Sequence, residues 1–257
     1  MNLKHNYYWF NKIISPEICQ RIIDLGLETL KKDKDNGVDT SGTTGGNTHK
    51  GGLPSLTSPM ADKTLEEIAT EEHLTPDEIE KQKYIRDSEV AWLTDSWIYD
   101  LVVPYVKLAN KDAGWKFDID GFETFQFTVY QPGGFYGWHT DSGSDHFAAY
   151  KRHIPGISPT EKNGDLPKGY AIDPYKVGKI RKISVTINLN LPGDYEGGNL
   201  KFDYGPHATS GRYHECEEIR PQGSMIVFPS FVHHQVTPIT RGTRYSLVLW
   251  CLGRPFK

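Results

Sequence analysis

The 257-residue chain has few of the sequence features that are typical of disulfide-rich, membrane-bound or polyanion-binding proteins. Its three cysteines, Cys19, Cys216 and Cys251, lie far apart and follow no zinc or redox spacing, so we expect reduced, buried thiols. No window approaches a membrane span, and the first residues lack the apolar core of a signal peptide. The formal net charge of -4 argues against a general affinity for nucleic acid. We therefore expect a cytoplasmic protein with no membrane or nucleic-acid partner.

The first part of the chain carries the signals of helices. Residues 15–17, Ser-Pro-Glu, are typical of a helix start. Thr75 to Glu78 form a capping box that predicts a short polar helix. Asp95 is placed to cap a longer helix, which Pro104 should kink or interrupt.

After about residue 120 the hydrophobic period changes from helical to alternating. Apolar and polar residues alternate along 124–130, 183–190 and 244–251, with shorter runs at 199–203, 224–228 and 232–236. Short strands separated by Gly and Pro turns predict a sandwich or barrel. We predict one domain, 1–257, in which a helical layer and a mobile loop (1–119) support a mainly β barrel (120–257).

Two of these strands have polar faces. Gln126 and Tyr130 share one face, and Thr186 and Asn188 share another. A barrel filled only by packing would place apolar residues on both inner surfaces. The pattern therefore indicates a lumen that holds a polar ligand.

A His-x-Asp motif, His139 to Asp141, offers two metal-ligand types on one side of a strand. By itself, in a chain with 10 histidines, the motif is better explained as a strand-end pair at a turn. His233 and His234 supply a third ligand much later in the chain. Two His and one carboxylate favour non-haem Fe(II), whereas zinc more often takes three His or cysteines. Strand parity allows only one of the adjacent histidines to face inward and does not decide which.

Arg244 and Ser246 lie on one face of the strand that follows these histidines. A guanidinium can grip a carboxylate through two hydrogen bonds, and a neighbouring hydroxyl adds a donor. Taken alone, Arg244 is better explained as a surface arginine, which is how we interpret Arg241.

Together these pieces resemble the prolyl 4-hydroxylase-like 2-oxoglutarate/Fe(II) dioxygenases, including bacterial and phage members. The matching stretches are YQPGGFYGWHTD (130–141), YEGGNL (195–200), HQVTP (234–238) and GTRYS (242–246), with a looser match at RDSEVAW (86–92). The resemblance implies a double-stranded β-helix, which is a jelly-roll, cupin-like barrel.

The resemblance also implies roles for individual residues. His139, Asp141 and His234 become the Fe(II) ligands, because the His-x-Val-x-Pro pattern selects His234. Arg244 becomes the partner of the distal carboxylate of 2-oxoglutarate, although collagen-type members usually have Lys there. Further residues are implied near the cosubstrate (Tyr130, Ser246, Asn188) and near the prime substrate (Tyr136, Trp250, Arg86). For Tyr136 and Trp250, a packed barrel aromatic is an equally good interpretation.

The expected enzyme consumes 2-oxoglutarate and O2, requires Fe(II) with ascorbate as reductant, and releases succinate and CO2. Its expected substrate is a prolyl residue in a peptide or protein. The alternatives are a free amino acid, another small metabolite or a nucleobase, a non-catalytic metal-binding barrel, and a zinc hydrolase. Residues 34–59 and 143–178 are long loops that either cover the site or are solvated insertions. The sequence leaves the oligomeric state open.

Overall fold

The computed structural model describes residues 3, 5–42, 86–142, 175–176, 178–205 and 211–256. The short helix predicted at Thr75–Glu78 and most of the predicted loops 34–59 and 143–178 lie outside these residues. The helices within them are α1 (Pro16–Asp35), α2 (Ser96–Asp112) and a short 3-10 helix (Glu217–Ile219). No helix in the described part of the chain is long and apolar enough to cross a membrane.

Helix α1 begins as the sequence predicts. Ser15 is its N-cap, with a hydroxyl that accepts a hydrogen bond from the Ile18 amide at 3.4 Å, and Pro16 lies in the first turn. On the buried face, a Cβ at Gly26 would come within 2.4 Å of the Phe127 ring. Helix α1 therefore packs on the sheet at a point where only glycine fits.

Helix α2 differs from its prediction in two details. It runs without interruption through Pro104, which is exposed, so water can hydrogen-bond the carbonyl that the missing proline N–H leaves free. Asp95 occupies the N-cap position, but its side chain makes no capping hydrogen bond. The buried stripe is Ile98, Val102, Val106 and Ala109, and it anchors the helix to the main core.

The strands form two larger antiparallel sheets and a short pair. Their bounds are β1 (Tyr8–Phe10), β2 (Arg86–Asp87), β3 (Glu89–Leu93), β4 (Gly121–Phe122), β5 (Phe125–Tyr130), β6 (Phe135–His139), β7 (Ile180–Asn188), β8 (Tyr195–Gly197), β9 (Leu200–Asp203), β10 (Tyr213–Glu215), β11 (Met225–Pro229), β12 (His233–Val236), β13 (Ile239–Gly242) and β14 (Arg244–Gly253). The seven-stranded sheet has the order β1-β11-β7-β14-β5-β3, with β4 also on β14. The five-stranded sheet is β10-β9-β12-β6-β2, and β13 pairs with β8.

The seven-stranded sheet has one apolar and one largely polar face, because side chains alternate along each strand. The apolar face carries residues such as Phe127, Val185 and Leu247, and it packs on the two helices in the main core. The opposite face carries Thr128 and Ser246, which are paired across β5 and β14. This confirms the polar lumen that the alternation predicts.

The predicted division at residue 119 needs a correction. Strands β1, β2 and β3 come from the part expected to be helix and loop, yet they pair with β11, β6 and β5 respectively. Two of them are only two or three residues long, too short for an alternating pattern to be recognised. The predicted state of the cysteines agrees with the structure, in which all three are free and buried.

Candidate active site

A cavity lies between the two larger sheets. Both sheets contribute to its wall, and strands β6 and β12 of the smaller sheet face β5, β7 and β14 of the larger one. Of the site residues that the sequence predicts, those in the lining are Arg86, Tyr130, Tyr136, His139, Asp141, His234, Arg244, Ser246 and Trp250. Only Asn188 of the predicted set is absent from it.

Three potential metal ligands meet at one end of the cavity. His139 and His234 are directly paired across β6 and β12, and Asp141 follows two residues after His139. One ligand atom from each lies within 4.8 Å of the others, and both His Nε2 atoms are 3.6 Å from an Asp141 carboxylate oxygen. These separations suit an ion held at about 2.0–2.2 Å from each ligand, as in zinc sites.

The strand pairing also answers which of the two adjacent histidines faces inward. His234 is buried and lines the cavity, whereas the side chain of His233 is 42% exposed and approaches Asp203 at 3.9 Å. The alternation of side chains along β12 could not show this, because it places the two histidines on opposite sides of the strand without indicating which side faces the lumen. The register with His139 provides the missing information.

Each histidine is oriented by a backbone carbonyl. His139 Nδ1 is 2.8 Å from the Gly137 carbonyl, and His234 Nδ1 is 3.0 Å from the Val232 carbonyl. Since a carbonyl only accepts, Nδ1 must carry the hydrogen, and in the neutral ring Nε2 is left with its lone pair. Both lone pairs therefore face Asp141, as is typical of metal-binding histidines.

Asp141 is held by two serines that sequence reasoning did not identify. Ser184 donates a 2.6 Å hydrogen bond to the Asp141 carboxylate, and its oxygen lies 2.9 Å from that of Ser230. The Asp141 amide in turn donates to the Ser230 carbonyl at 2.9 Å. Ser184 lies on the polar face of a predicted strand, which is the one signal that could have revealed it.

The protonation states at this end of the cavity suit a metal ion. Burial alone would raise the pKa of Asp141, but His234 and His139 outweigh it and hold that pKa well below its usual range. Burial, with His139 nearby, lowers the pKa of His234 to about 4. At neutral pH the site thus presents an ionised carboxylate and a neutral His234, which are the forms that bind metal.

Arg244 lies in the same cavity and is only 2% exposed. Its Nη1 donates to the Ser246 hydroxyl at 3.2 Å, and its guanidinium carbon is 5.4 Å from the centre of the Tyr130 ring. A Cβ at Gly198 would come within 2.9 Å of the Arg244 side chain, so the glycine makes room for it. Among the described residues, Nε finds no hydrogen-bond partner and no carboxylate forms an ion pair with Arg244.

Asn188 does not line the cavity, although the family resemblance implied a place near the cosubstrate. Its amide nitrogen donates to the carbonyls of Asn190 at 3.1 Å and Arg220 at 2.8 Å, and its oxygen accepts from the Asn190 amide at 3.4 Å. It sits opposite Ser246 on the polar face, but at the end where the chain leaves the sheet. Its hydrogen bonds are used to fix that turn.

Tyr136 and Arg86 form a layered stack on the metal end. The Tyr136 ring lies 3.5 Å from the His139 ring at an angle of 10°, and the Arg86 guanidinium is 4.7 Å from the Tyr136 centre. Arg86 also donates to Gln126 at 2.8 Å. The sequence predicted Arg86 and Tyr136 but not Gln126 as a partner.

Trp250 lines the cavity beside a buried ion pair that sequence reasoning also missed. The Arg181 guanidinium lies 3.7 Å from the Trp250 ring centre, and Arg181 donates to Glu123 at 2.5 and 2.8 Å. The Trp250 Nε1 atom is buried and has no hydrogen-bond partner among the described residues. Glu123 precedes β5 and Arg181 lies in β7, so nothing in the sequence shows that they meet.

The fold and the site together define a barrel with a two-His, one-carboxylate metal site and a buried arginine. A family model described as the 2OG-Fe(II) oxygenase superfamily matches residues 125–252, about half of the chain, which holds the strands from β5 to β14 except the last residue of β14. The chain belongs to the 2OG-Fe(II) oxygenase superfamily, as its sequence motifs indicated.

Among curated proteins, the chain is similar to a PKHD-type hydroxylase of Nitrobacter winogradskyi, with 32% identity over 125 residues. That match covers 49% of this chain and 41% of the relative, so the chain spans less than half of the relative's length.

Among solved structures, the chain is similar to a Pseudomonas putida prolyl-4-hydroxylase, with a TM-score of 0.51 and 18% identity over 98% of this chain and 94% of that one. A viral collagen prolyl hydroxylase of Paramecium Bursaria Chlorella virus-1, solved as a 2OG complex, gives a TM-score of 0.51 and 15% identity over 97% of both chains. At these identities the likeness concerns the fold, and it confirms the predicted jelly-roll barrel.

Proposed function

We propose that this chain is an Fe(II)- and 2-oxoglutarate-dependent dioxygenase that hydroxylates a prolyl residue in a peptide or protein. One observation carries the proposal. The cavity that holds the triad of His139, Asp141 and His234 also holds Arg244, a buried cation without a carboxylate partner among the described residues. A metal ion and a dicarboxylic acid would satisfy both features at once.

The triad fits Fe(II) by the chemistry of its donors. Two imidazoles and one carboxylate on one side of an ion leave positions open, as in non-haem Fe(II) oxygenases. When bound, Fe(II) would supply the activation of O2 and of 2-oxoglutarate. The task of the protein is to orient the ligands, through the carbonyls behind the histidines and the Ser184 hydroxyl behind Asp141.

Arg244 fits the distal carboxylate of 2-oxoglutarate. Burying a guanidinium without a counter-charge is unfavourable, so its place in this cavity indicates an anionic ligand. The Ser246 hydroxyl, which accepts from Arg244, has a hydrogen of its own to donate to that ligand. Tyr130, beside the guanidinium, completes this end of the site.

The prime substrate is proposed to approach through the part of the cavity lined by Arg86, Tyr136 and Trp250. Arg86 is fixed by Gln126 and by Ser88, which accepts from its Nε at 2.7 Å, so it presents a preorganised cation beside the metal end. The hydroxylase names of the similar proteins support a prolyl substrate. A free amino acid, another small metabolite or a nucleobase is the alternative.

We also propose that residues 1–257 act as one domain. Strands from the first part of the chain pair with strands of the barrel in both larger sheets, and Arg86 of β2 reaches into the cavity. The covering role of the loops 34–59 and 143–178 remains a prediction.

The decisive experiment is aerobic incubation with Fe(II), 2-oxoglutarate, ascorbate and proline-containing peptides, followed by mass spectrometry and a succinate assay. We expect a gain of one oxygen on proline with matching succinate release. Succinate released only with free amino acids or nucleic acid would contradict the prolyl substrate. Anaerobic turnover without 2-oxoglutarate would indicate a hydrolase instead.

The adjacent histidines provide a matched pair of variants. His234→Ala should abolish Fe(II)-dependent turnover of 2-oxoglutarate, whereas His233→Ala removes an identical group from the outer side of the same strand and should leave it intact. If His234→Ala or His139→Ala keeps this turnover, the triad is not the iron site.

A further inference from the structure

A second cleft shares no residue with the active-site cavity. It is formed where the segment after α2, the start of β7 and the end of the chain meet. Its lining consists of Lys116, Phe117, Asp118, Lys182, Arg254, Pro255 and Phe256. Three cations and one carboxylate give it a positive charge.

Lys182 is the feature that makes this more than a basic surface patch. The residue is only 4% exposed, and its ammonium makes no hydrogen bond and no ion pair with any described residue. Within the described part of the chain, the ammonium contacts the electron-rich Phe256 ring, whose centre lies 4.2 Å from Nζ. The stem of Lys182 is buried, but Nζ keeps contact with the water of the cleft, so the ammonium lies at the cleft wall without a direct counter-charge.

The nearby carboxylates do not fill that role. Asp120 forms an ion pair with Lys179 at 3.2 Å. Asp118 lines the same cleft but comes within ion-pairing distance of none of its cations. Arg181, the neighbour of Lys182 in sequence, has Glu123 as its counter-charge. Among the described residues, the adjacent cations thus have a carboxylate within ion-pairing distance, whereas Asp118 and Asp120 act on Lys182 only from farther away.

The remaining walls of the cleft are apolar and aromatic. Phe256 packs edge-on against Phe117 with ring centres 5.1 Å apart, and Phe231 contacts both rings from behind. Phe256 is nevertheless 40% exposed, so an aromatic surface is available next to the ammonium. Such a wall suits the apolar body of a ligand whose charged group reaches Lys182.

We propose that this cleft binds an organic oxoanion, a phosphate or carboxylate joined to an apolar or aromatic body. The anionic group lies between Lys182, Arg254 and Lys116, and the body rests on Phe117 and Phe256. The site is separate from the proposed active site, and the inference does not depend on the proposed function.

Calorimetric titration of the full chain with phenyl phosphate, benzoate, inorganic phosphate and benzyl alcohol tests the proposal. We expect saturable binding of phenyl phosphate or benzoate, weaker binding of inorganic phosphate, and none of neutral benzyl alcohol. The preferred head group distinguishes a phosphate from a carboxylate ligand. Lys182→Met, which keeps the apolar stem, should weaken binding at least tenfold, and Lys179→Met is the matched control that should bind normally.

Backbone amide NMR shifts should place the ligand at residues 116–118, 182 and 254–256. Should Lys182→Met fail to fold, Arg254→Met at the rim replaces it, with an expected loss of several-fold. No saturable binding, equal binding by benzyl alcohol, or unchanged affinity in the variant used would overturn the proposal.

Discussion

Arg181 and Arg244 are two buried arginines on neighbouring strands of one sheet, yet they differ in whether a carboxylate pairs with the guanidinium. Arg181, with 10% of its side chain exposed, forms a two-bonded ion pair with Glu123. Arg244, 2% exposed, has only the Ser246 hydroxyl and the Tyr130 ring, and its Nε is unsatisfied among the described residues. The first arginine is complete within the fold, whereas the second lacks a carboxylate.

The difference separates a structural role from a binding role. A charge that only supports the fold needs its counter-ion in the chain, because an unpaired buried charge is strongly destabilising. A charge that recognises a ligand must keep its hydrogen-bonding groups free until the ligand arrives. The pairing with Glu123 therefore indicates a structural role for Arg181, and the missing carboxylate supports the proposed binding role of Arg244.

Arg244→Met should have the largest effect on catalysis. Truncating one partner of a buried charge pair costs about 2–5 kcal/mol, so the KM for 2-oxoglutarate should rise by roughly 30-fold or more. The free energy of unfolding without ligand should stay the same or increase, because an uncompensated charge is removed. Steady-state kinetics and denaturant unfolding measure the two quantities.

Arg241→Met is the control for that variant. Arg241 lies three residues earlier, is exposed, and pairs with Glu196 at the surface, so its loss should not change the KM. In the wild type, saturating 2-oxoglutarate should raise the melting temperature, and Arg244→Met should lose this response. A normal KM in Arg244→Met would remove Arg244 from the cosubstrate site.

Glu123→Gln should show the opposite pattern. It leaves the Arg181 guanidinium buried without its counter-charge, which should lower the free energy of unfolding by about 3 kcal/mol. The KM for 2-oxoglutarate should change little in the fraction that remains folded. A KM effect as large as that of Arg244→Met would mean that Arg181 also acts in binding.

The stability difference between wild type and Glu123→Gln should depend on pH. Burial opposes ionisation of Glu123, but Arg181 and Lys176 outweigh it and lower its pKa from 4.5. A lowered folded pKa gives stability that is present above pH 4.5 and is lost as the pH falls through the folded value. The two proteins should therefore differ fully at neutral pH and converge in acid, as urea unfolding from pH 7 to 3 would show.

The same comparison shows which parts of the site are visible in a sequence. Arg244, His139 and His234 lie in motifs whose spacing follows strand geometry, so local pattern and family likeness reveal them. Glu123 and Arg181 meet only through the pairing of non-adjacent strands, which no local pattern encodes.

Two further predictions show the same limit. Asn188 lies on the predicted polar face, but the turn beside it takes up its hydrogen bonds. Pro104 interrupts nothing because it is on the solvent side of its helix. The period of the sequence predicts on which face of a helix or strand a residue lies. The groups with which that residue forms hydrogen bonds depend on tertiary contacts.

Arg244→Lys tests whether the site needs a charge or a guanidinium. Lysine keeps the positive charge, but its ammonium cannot donate two parallel hydrogen bonds to a carboxylate as the planar guanidinium does. One of these two hydrogen bonds is therefore lost. The KM for 2-oxoglutarate should rise about tenfold, well below the effect of Arg244→Met. Equal effects of the two substitutions would show that geometry matters as much as charge.

Ser246→Ala should have the smallest effect. It removes one hydroxyl that accepts from Arg244 at 3.2 Å and leaves the guanidinium in place. A single hydrogen bond contributes about 1 kcal/mol, so the KM should rise roughly fivefold with kcat nearly unchanged. Thr243→Ala removes a nearby hydroxyl that bonds Gln131 outside the cavity, and it should leave the KM unaltered. If Ser246→Ala matched Arg244→Lys, the serine would bind the cosubstrate directly as well as orienting the arginine.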